Sequence, residues 1–444
     1  MRELRFVAIT VATTSILWAS FILVIGTSAA ESDQYEYRAA AERLASGLGL
    51  TYASGELYVH SHPPLYPVFL AGIFAAGGGG LAVRLVQLAL ALATLLVVYA
   101  TARRAFGGRV AAAALIAGGL YLPTAFYATD VLSEILFTFL LAAGVYLLYA
   151  RWERGGAAGF AAAGVVFGLA GLTRGVALAV AVALAAVILL RRGVPAGRRW
   201  LRAAAFGVGV AAAVAPWSAY VYRTTGYPVL LDTKTAHVFY LGNNAGTPAH
   251  HAWDATDGDY RFVVPPGLRE TKNGFERSRL FFRAAAAYAL AHPLQTAARF
   301  VSKFADMWEL ERLFAAEYRA GLFPAAREPW IFIWIAAEVA ASAAALALFW
   351  AAVPLMSKNL WRTLTLAVVA ATVVVFALTI AHPRYNYPLM VLGLPAVGYF
   401  FVELLPRLRA RALPRGKLVL AVAAVASLAV IWARMAWLFL SRGT

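Results

Sequence analysis

The groups in this sequence that are able to do chemistry stand near the ends of apolar runs. Asp33 follows the first such run, Phe6 to Ile25, and a carboxylate held beside an apolar helix can act as general base on an acceptor hydroxyl. Asp33 with Glu36 three residues on also fits an N-cap pair at a helix start. The sequence leaves both readings open. Asp130 and Glu134 are spaced one helical turn apart where another apolar run begins; carboxylates at a membrane boundary cost desolvation unless they face a cavity or a partner. Arg84, Arg174 and Arg384 lie at the same ends of their runs as these acids. A guanidinium binds phosphate through paired donors, and the competing use of the three is pairing with Asp130, Glu134 or lipid headgroups. His60, His62 and His382 lack the paired spacing of metal ligands, so a divalent metal is conceivable but not indicated. Trp217, Tyr220, Tyr222, Tyr385 and Tyr387, also at run ends, fit an interfacial aromatic belt. No cofactor motif of the Walker, Gly-x-Ser-x-Gly or Cys-x-x-Cys kind occurs, and the chain has no Cys.

The elements that position these residues must be membrane helices. Of 444 residues 62% are apolar and 14% charged, with a mean hydropathy of +0.70, far too little polar surface for a water-soluble fold. Disordered, collagen-like and disulfide-stapled classes are excluded. Beyond 6–25, runs long enough to span lie at about 81–102, 110–128, 131–150, 157–173, 176–190, 203–222, 329–352, 363–381, 385–405 and 418–438. The reading is therefore an all-α, polytopic single membrane domain over 1–444 with about eleven transmembrane helices, the first taken as an uncleaved helix although Ser28, Ala29 and Ala30 resemble a cleavage site. The net charge of +17 reads as a topology signal rather than a nucleic-acid surface. Arg103, Arg104, Arg109, Arg151, Arg154, Arg191, Arg192, Arg198, Arg199, Arg202, Arg407, Arg409, Arg411, Arg415 and Lys417 then share the face of the N-terminus, which makes that face cytoplasmic. Arg far outnumbers Lys, as expected of a GC-rich, bacterial genome.

The opposite, extracytoplasmic face receives residues 26–80, 223–328 and a short stretch around His382 to Pro388. Tyr37, Ala40, Ala41, Leu44 and Leu48 recur at helical spacing, describing an interfacial amphipathic helix over Asp33 to Gly47. Pro64 to Ala76 is apolar but short, the length of an interfacial or re-entrant helix. Phe275 to Leu290 and Pro293 to Trp308 read as two further amphipathic helices, and 223–274 as loop or short strand.

The order of these pieces resembles the GT-C glycosyltransferases that use polyprenyl-phosphate sugars, in particular the bacterial relatives of protein O-mannosyltransferases and of the lipid A aminoarabinose transferase. The resemblance rests on SDQYEYRAAAERLASGLGL and HSHPPLYPVFLAGIF in the first external segment, then RLVQ, TDVLSEILF, GLTRG, PWSAYVYRTTGYPVLL, LGNNAG, AHPLQTAARFVSKFADMW and HPRYNYPL. It implies a catalytic aspartate at Asp33 and a second acidic site at Asp130, with Glu134 one turn later. It also implies a lipid-phosphate contact at His62, where the aminoarabinose enzyme has Lys, and the family's Arg-Tyr pair at Arg384 and Tyr385. Inverting transfer and juxtamembrane helices beside a lipid-filled cavity follow from the same resemblance, with no metal requirement in some members.

The expected protein is thus an inverting glycosyltransferase of the cell membrane and envelope. It moves a sugar from a polyprenyl-phosphate donor to a glycan, lipid or protein acceptor on the extracytoplasmic face, with no nucleic-acid partner. A secondary transporter or lipid flippase is the alternative; it would hold ionisable residues near the bilayer midplane on broken helices. A non-catalytic scaffold leaves the boundary carboxylates unused. The topology is testable: reporters fused after Arg199 and Arg411 should read as cytoplasmic and one near Gly258 as external, and a cytoplasmic signal at Gly258 would put the candidate site on the wrong face.

Overall fold

The computed structural model describes residues 2–25, 33–153, 155–251, 267–268, 270–323 and 329–441; Ser28 to Ala30, Arg154 and Gly258 lie outside them. The regular structure of the described residues is helical apart from an isolated antiparallel bridge between Thr51 and Leu57. In chain order the helices are α1 (Arg2–Ile25), α2 (Asp33–Ala45), α3 (Leu65–Ala75), α4 (Gly80–Phe106), α5 (Gly108–Gly119), α6 (Pro123–Thr129), α7 (Glu134–Arg151), α8 (Ala157–Thr173), α9 (Val176–Leu190) and α10 (Ala196–Thr225). The second half holds α11 (Lys234–Gly242), α12 (Gly274–Ala291), α13 (Pro293–Met307), α14 (Leu313–Arg319), α15 (Trp330–Leu355), α16 (Leu360–Leu378), α17 (Tyr387–Tyr399), α18 (Leu405–Arg409) and α19 (Arg415–Ser441).

The eleven expected spans are not all realised as full-length helices. Among the described residues eight helical stretches are long and apolar enough to cross, or nine if α5 and α6, bent by 55° at their break, make one crossing. Helices α8 and α9, of 17 and 15 residues, fall short of the roughly 20 residues that a bilayer core demands. Even so, α8 runs beside α7, and Arg174 at its end reaches Glu134 at the start of α7. Leaving out this adjacent pair removes two crossings, so the relative sidedness of every other segment is unchanged.

The two long segments between the spans, 26–80 and 223–328, form much as their periodicity predicts where they are described. In α2, Tyr37 and Ala41 are buried against Tyr66, Leu70 and Ala71 of α3, and Ala40 against Leu50 and Tyr58. Helix α3 stops at Gly77, whose φ of +81° suits a residue without a side chain. Helices α12 and α13 occupy the expected stretches. The 223–274 segment departs from expectation, because α11 lies within it. That helix is only nine residues long, too short to show an apolar period, and its one local signal is Asp232, whose carboxylate accepts from the Thr235 amide at 3.1 Å.

Two packing features fix the frame around the site. Helix α17 is buried from Tyr387 to Gly398 and packs against α5, α15, α4 and α7, so the turn that precedes it is anchored in the middle of the bundle. Helices α8 and α10 meet backbone to backbone, since a methyl group at Gly164 would lie 2.0 Å from the Phe206 carbonyl oxygen and one at Gly209 would lie 2.1 Å from that of Ala161. Small residues permit such approach between membrane helices. Gly164→Val or Gly209→Val should lower stability by about 1–3 kcal/mol through overpacking. Thermal melting of the detergent-solubilised protein checks this, and an unchanged midpoint for both would mean that α8 and α10 are not in close contact.

Candidate active site

Four distant segments bring charge to one place. Asp33, the first residue of α2, has its Oδ1 3.2 Å from His62 Nε2 and 3.4 Å from Lys234 Nζ, and its Oδ2 accepts from an Arg384 terminal nitrogen at 3.0 Å. Each partner is placed by local sequence. His62 precedes Pro63 and Pro64, which hold the chain out of a helix until α3 begins. Lys234 opens α11 behind its Asp232 cap. Arg384 sits in a 3-10 turn, Pro383–Asn386, entered through extended His382 and pinned by the Asn386 amide donating to the Met307 carbonyl at 3.0 Å.

Burial alone would raise the Asp33 carboxyl, but His62, Lys234 and Arg384 together overcome it and hold the group well below the usual carboxylate range. His62 Nε2 also stands 3.1 Å from Lys234 Nζ and 3.5 Å from the Glu36 carboxylate. Nε2 either carries a proton and donates to a carboxylate, or lacks one and accepts from the lysine; it cannot do both at once. The cap-pair reading of Asp33 and Glu36 therefore does not describe where these carboxylates go. Both turn toward His62, and Asp33 also toward two further cations.

The network continues through Arg384, whose Nε lies 3.9 Å from Glu134 Oε1, to Arg174, which makes a close ion pair with the same oxygen. Tyr37 Oη and Arg174 each approach Ser133 Oγ at 3.4 Å. Tyr385 presents its ring to both guanidiniums, 5.3 Å from Arg174 and 5.4 Å from Arg384, within cation–π range. Arg174 and Arg384 line a small cleft whose other walls are Phe137, Leu141, Val176, Thr372, Phe376, Tyr385, Pro388 and Leu389. At the cleft wall Arg384 Nε is buried and makes no hydrogen bond among the described residues.

Two expected members stand apart. Asp130 and Glu134 do not share a helical turn, because α6 ends before Asp130 and α7 begins at Glu134. Asp130 instead receives a hydrogen bond from Glu317, whose carboxyl is pushed up to about 10 by burial and then by the charge on Asp130. Arg84 donates through Nε to the Thr129 carbonyl at 3.1 Å and faces Asp130; no ion pair among the described residues joins it to Asp33. Sequence reasoning missed Lys234 and Glu317, which lie in segments read as loop or left unread. The three scattered histidines do not converge on a metal: His60 meets Thr233, His62 meets Asp33, and His382 accepts from the Arg384 amide. Elsewhere His251, Asp306 and Glu309 bring ligand atoms within 4.8 Å of one another. There the Arg434 guanidinium lies 3.0 Å from Asp306 and 3.4 Å from Glu309, supplying the positive charge that the carboxylates require.

Residues 61–222 match the family model of dolichyl-phosphate-mannose-protein mannosyltransferases. The match, over 162 of the 444 residues, is to a family of glycosyltransferases. The matched segment contains His62, Arg84, Asp130, Glu134 and Arg174, while Asp33, Lys234 and Arg384 fall outside it. Among solved structures the chain is similar to ArnT from Cupriavidus metallidurans bound to undecaprenyl phosphate, at 18% identity and a TM-score of 0.45, covering 88% of this chain and 77% of that one. It is also similar to the archaeal oligosaccharyltransferase AglB from Archaeoglobus fulgidus in complex with an inhibitory peptide and a dolichol-phosphate, at 12% identity and a TM-score of 0.43. That likeness covers 95% of this chain and 55% of the archaeal one, so the chain spans about half the length of AglB. No curated protein sequence matches the chain significantly.

The depressed Asp33 carboxyl gives a signed expectation. Its stabilising contribution is fully present above an unfolded-state pKa of about 3.9 and is lost only as pH falls through the lower folded value. The melting difference between the native and Asp33→Asn proteins should persist from pH 7 down to about pH 4 and close only below it. A difference that closes above that value would mean that His62, Lys234 and Arg384 together do not hold the carboxylate.

Proposed function

We propose that this protein transfers a sugar, with inversion, from a polyprenyl-phosphate donor to an acceptor hydroxyl on the extracytoplasmic face of the cell membrane. The observation that carries the reading is the cleft at Arg174 and Arg384, apolar on most of its walls, with an unmet buried donor on Arg384. An amphiphile with an anionic oxygen fits both features, and a lipid phosphate is such a molecule. The active face follows the Arg-rich short loops, which mark the other face as cytoplasmic.

The resting ion cluster suggests how donor binding prepares catalysis. With Lys234, Arg384 and His62 about it, Asp33 is a weak base. A bound phosphate competes for Arg384, Lys234 and His62, and each cation that turns toward it restores basicity to the carboxylate. Asp33 then takes the acceptor proton as the hydroxyl oxygen attacks the anomeric carbon. The bond to the phosphate oxygen breaks on the opposite side, and the departing lipid phosphate keeps the electron pair under the same cations. Lys234 supplies the ammonium that the family resemblance places at 62, where this chain has His. Asp130, paired with Glu317 and Arg84, serves to hold the α6–α7 link that carries Glu134.

The transporter alternative draws some support from the breaks at α5–α6 and α8–α9, since broken helices also build transport sites. The family match over 61–222 favours the enzyme.

Purified protein in vesicles with a panel of labelled polyprenyl-phosphate sugars tests the reading. Asp33→Asn should cut transfer by roughly 100-fold to 10,000-fold while donor binding persists. Arg384→Ala, Arg174→Ala and Lys234→Ala should each weaken donor binding by about 1.5–3 kcal/mol, the scale of a charge-assisted contact. Arg84→Ala should leave it within a few-fold. Near-normal turnover by Asp33→Asn would remove it as the base, and unchanged donor binding in all three cation variants would remove the phosphate site.

A further inference from the structure

Helix α13 carries its charges on the side opposite to that expected of a helix bathed in water. Lys303 and Asp306 are 1% and 0% exposed, and Arg299 is buried beside them, whereas Leu294, Val301 and Phe304 are 86%, 65% and 40% exposed. Ala297 and Ala298 fall on the same exposed strip, whose positions follow the helical repeat. Leu290, at the end of α12 across the connecting turn, extends it.

The buried charges are satisfied by protein groups alone. Lys303 Nζ lies 2.9, 3.2 and 3.4 Å from the carbonyls of Thr379, Gly242 and Leu378, three acceptors for three protons. Arg299 donates to the carbonyls of Thr247 and Pro248 at 2.7 and 3.3 Å. Asp306 accepts from the His251 amide at 2.9 Å and from both terminal nitrogens of Arg434 at 3.0 Å. This is the accounting that a water-free surrounding imposes, where each polar group must find its partner inside the protein. The helix packs on α16, a candidate span, and Val374 and Leu378 of α16 are themselves exposed. The strip on α13 and these residues of α16 thus belong to the exposed apolar surface of two helices that pack together.

We propose that the outward face of α13 is immersed in the acyl chains of the leaflet on the active-site side, making α13 an embedded foot rather than a helix lying on the headgroups. Because the Met307 carbonyl at its end holds Asn386, two residues past Arg384, the depth of α13 sets the height of Arg384 relative to the lipid phosphates. The occupant is bulk bilayer lipid. The proposal is independent of what the site transfers.

The absence of Cys from the chain allows a direct test. Single-cysteine variants Leu294→Cys, Val301→Cys and Phe304→Cys, with Arg277→Cys on exposed α12 as the aqueous control, are nitroxide-labelled and reconstituted into phosphatidylethanolamine–phosphatidylglycerol vesicles. Collision with oxygen is compared with collision with a water-soluble nickel chelate, after melting curves verify that each labelled protein is folded. The expected result is an oxygen-to-nickel ratio severalfold higher at 301 and 304 than at 277. A ratio equal to the control would place the face in water. Low collision with both reagents would mean that protein, such as a second copy of the chain, covers it. Either result overturns the proposal, and any one of the three positions suffices to read the face.

Discussion

Charge brought into a poorly solvated place must be neutralised by other charge from the same chain, and this requirement organises the molecule around Asp33. The cost of desolvation would raise the pKa of a lone carboxylate there. It stays ionised because His62, Lys234 and Arg384 converge on it from positions 29, 201 and 351 residues away. Such separations mean that α2, the approach to α3, α11 and the turn before α17 must all be in place before the cluster exists. The cluster thereby couples both external segments to the centre of the bundle. Removing one member leaves the others with unbalanced buried charge, which is more costly than never having made the pair.

Interruptions of the helices deliver these groups. A continuous helix consumes its own backbone donors and acceptors, and it points side chains sideways into neighbours or lipid. A break frees the chain to direct a residue along the bundle axis. Arg174 occupies the break between α8 and α9 with an extended backbone, Asp130 ends α6 in the same way, and Arg384 follows extended His382 in a 3-10 turn. The same interruptions shorten α8 and α9 below the length of ordinary spans. The uneven span lengths and the charged site thus have one cause.

That cause also explains what was legible in the sequence. Long apolar runs, the amphipathic period of α2, α12 and α13, and the charges at run ends were readable, because burial in lipid writes itself as composition and period. Asp33, His62, Glu134, Arg174, Arg384 and Tyr385 do come together. Asp130 and Arg84 looked like members by position along their runs, yet a break between α6 and α7 turns Asp130 away toward Glu317 and Arg84. Lys234 was invisible for the converse reason: its helix is short, and its only link to Asp33 is a contact across 201 residues. The orientation of α13 could not be read either. An amphipathic period states that two faces differ, but it does not say which one meets solvent.

A comparison of the two large polar networks distinguishes scaffold from site. Around α13, Lys303 has a carbonyl near each of its protons, and the carboxylates of Asp306 and Glu309 are matched by Arg434, with Arg312 3.5 Å from Glu309. That network is closed, and a ligand could enter it only by breaking bonds already made. Around Asp33 the accounts stay open: His62 Nε2 stands between partners it cannot serve together, and Arg384 Nε, buried at the cleft wall, has a proton and no acceptor. Unmade hydrogen-bonding capacity in a dry place costs about 1–3 kcal/mol per group, a cost that an incoming anion at the Asp33 cluster would remove. What separates the charged groups of these two networks is therefore the capacity left unmet, since the density of charge is similar in both.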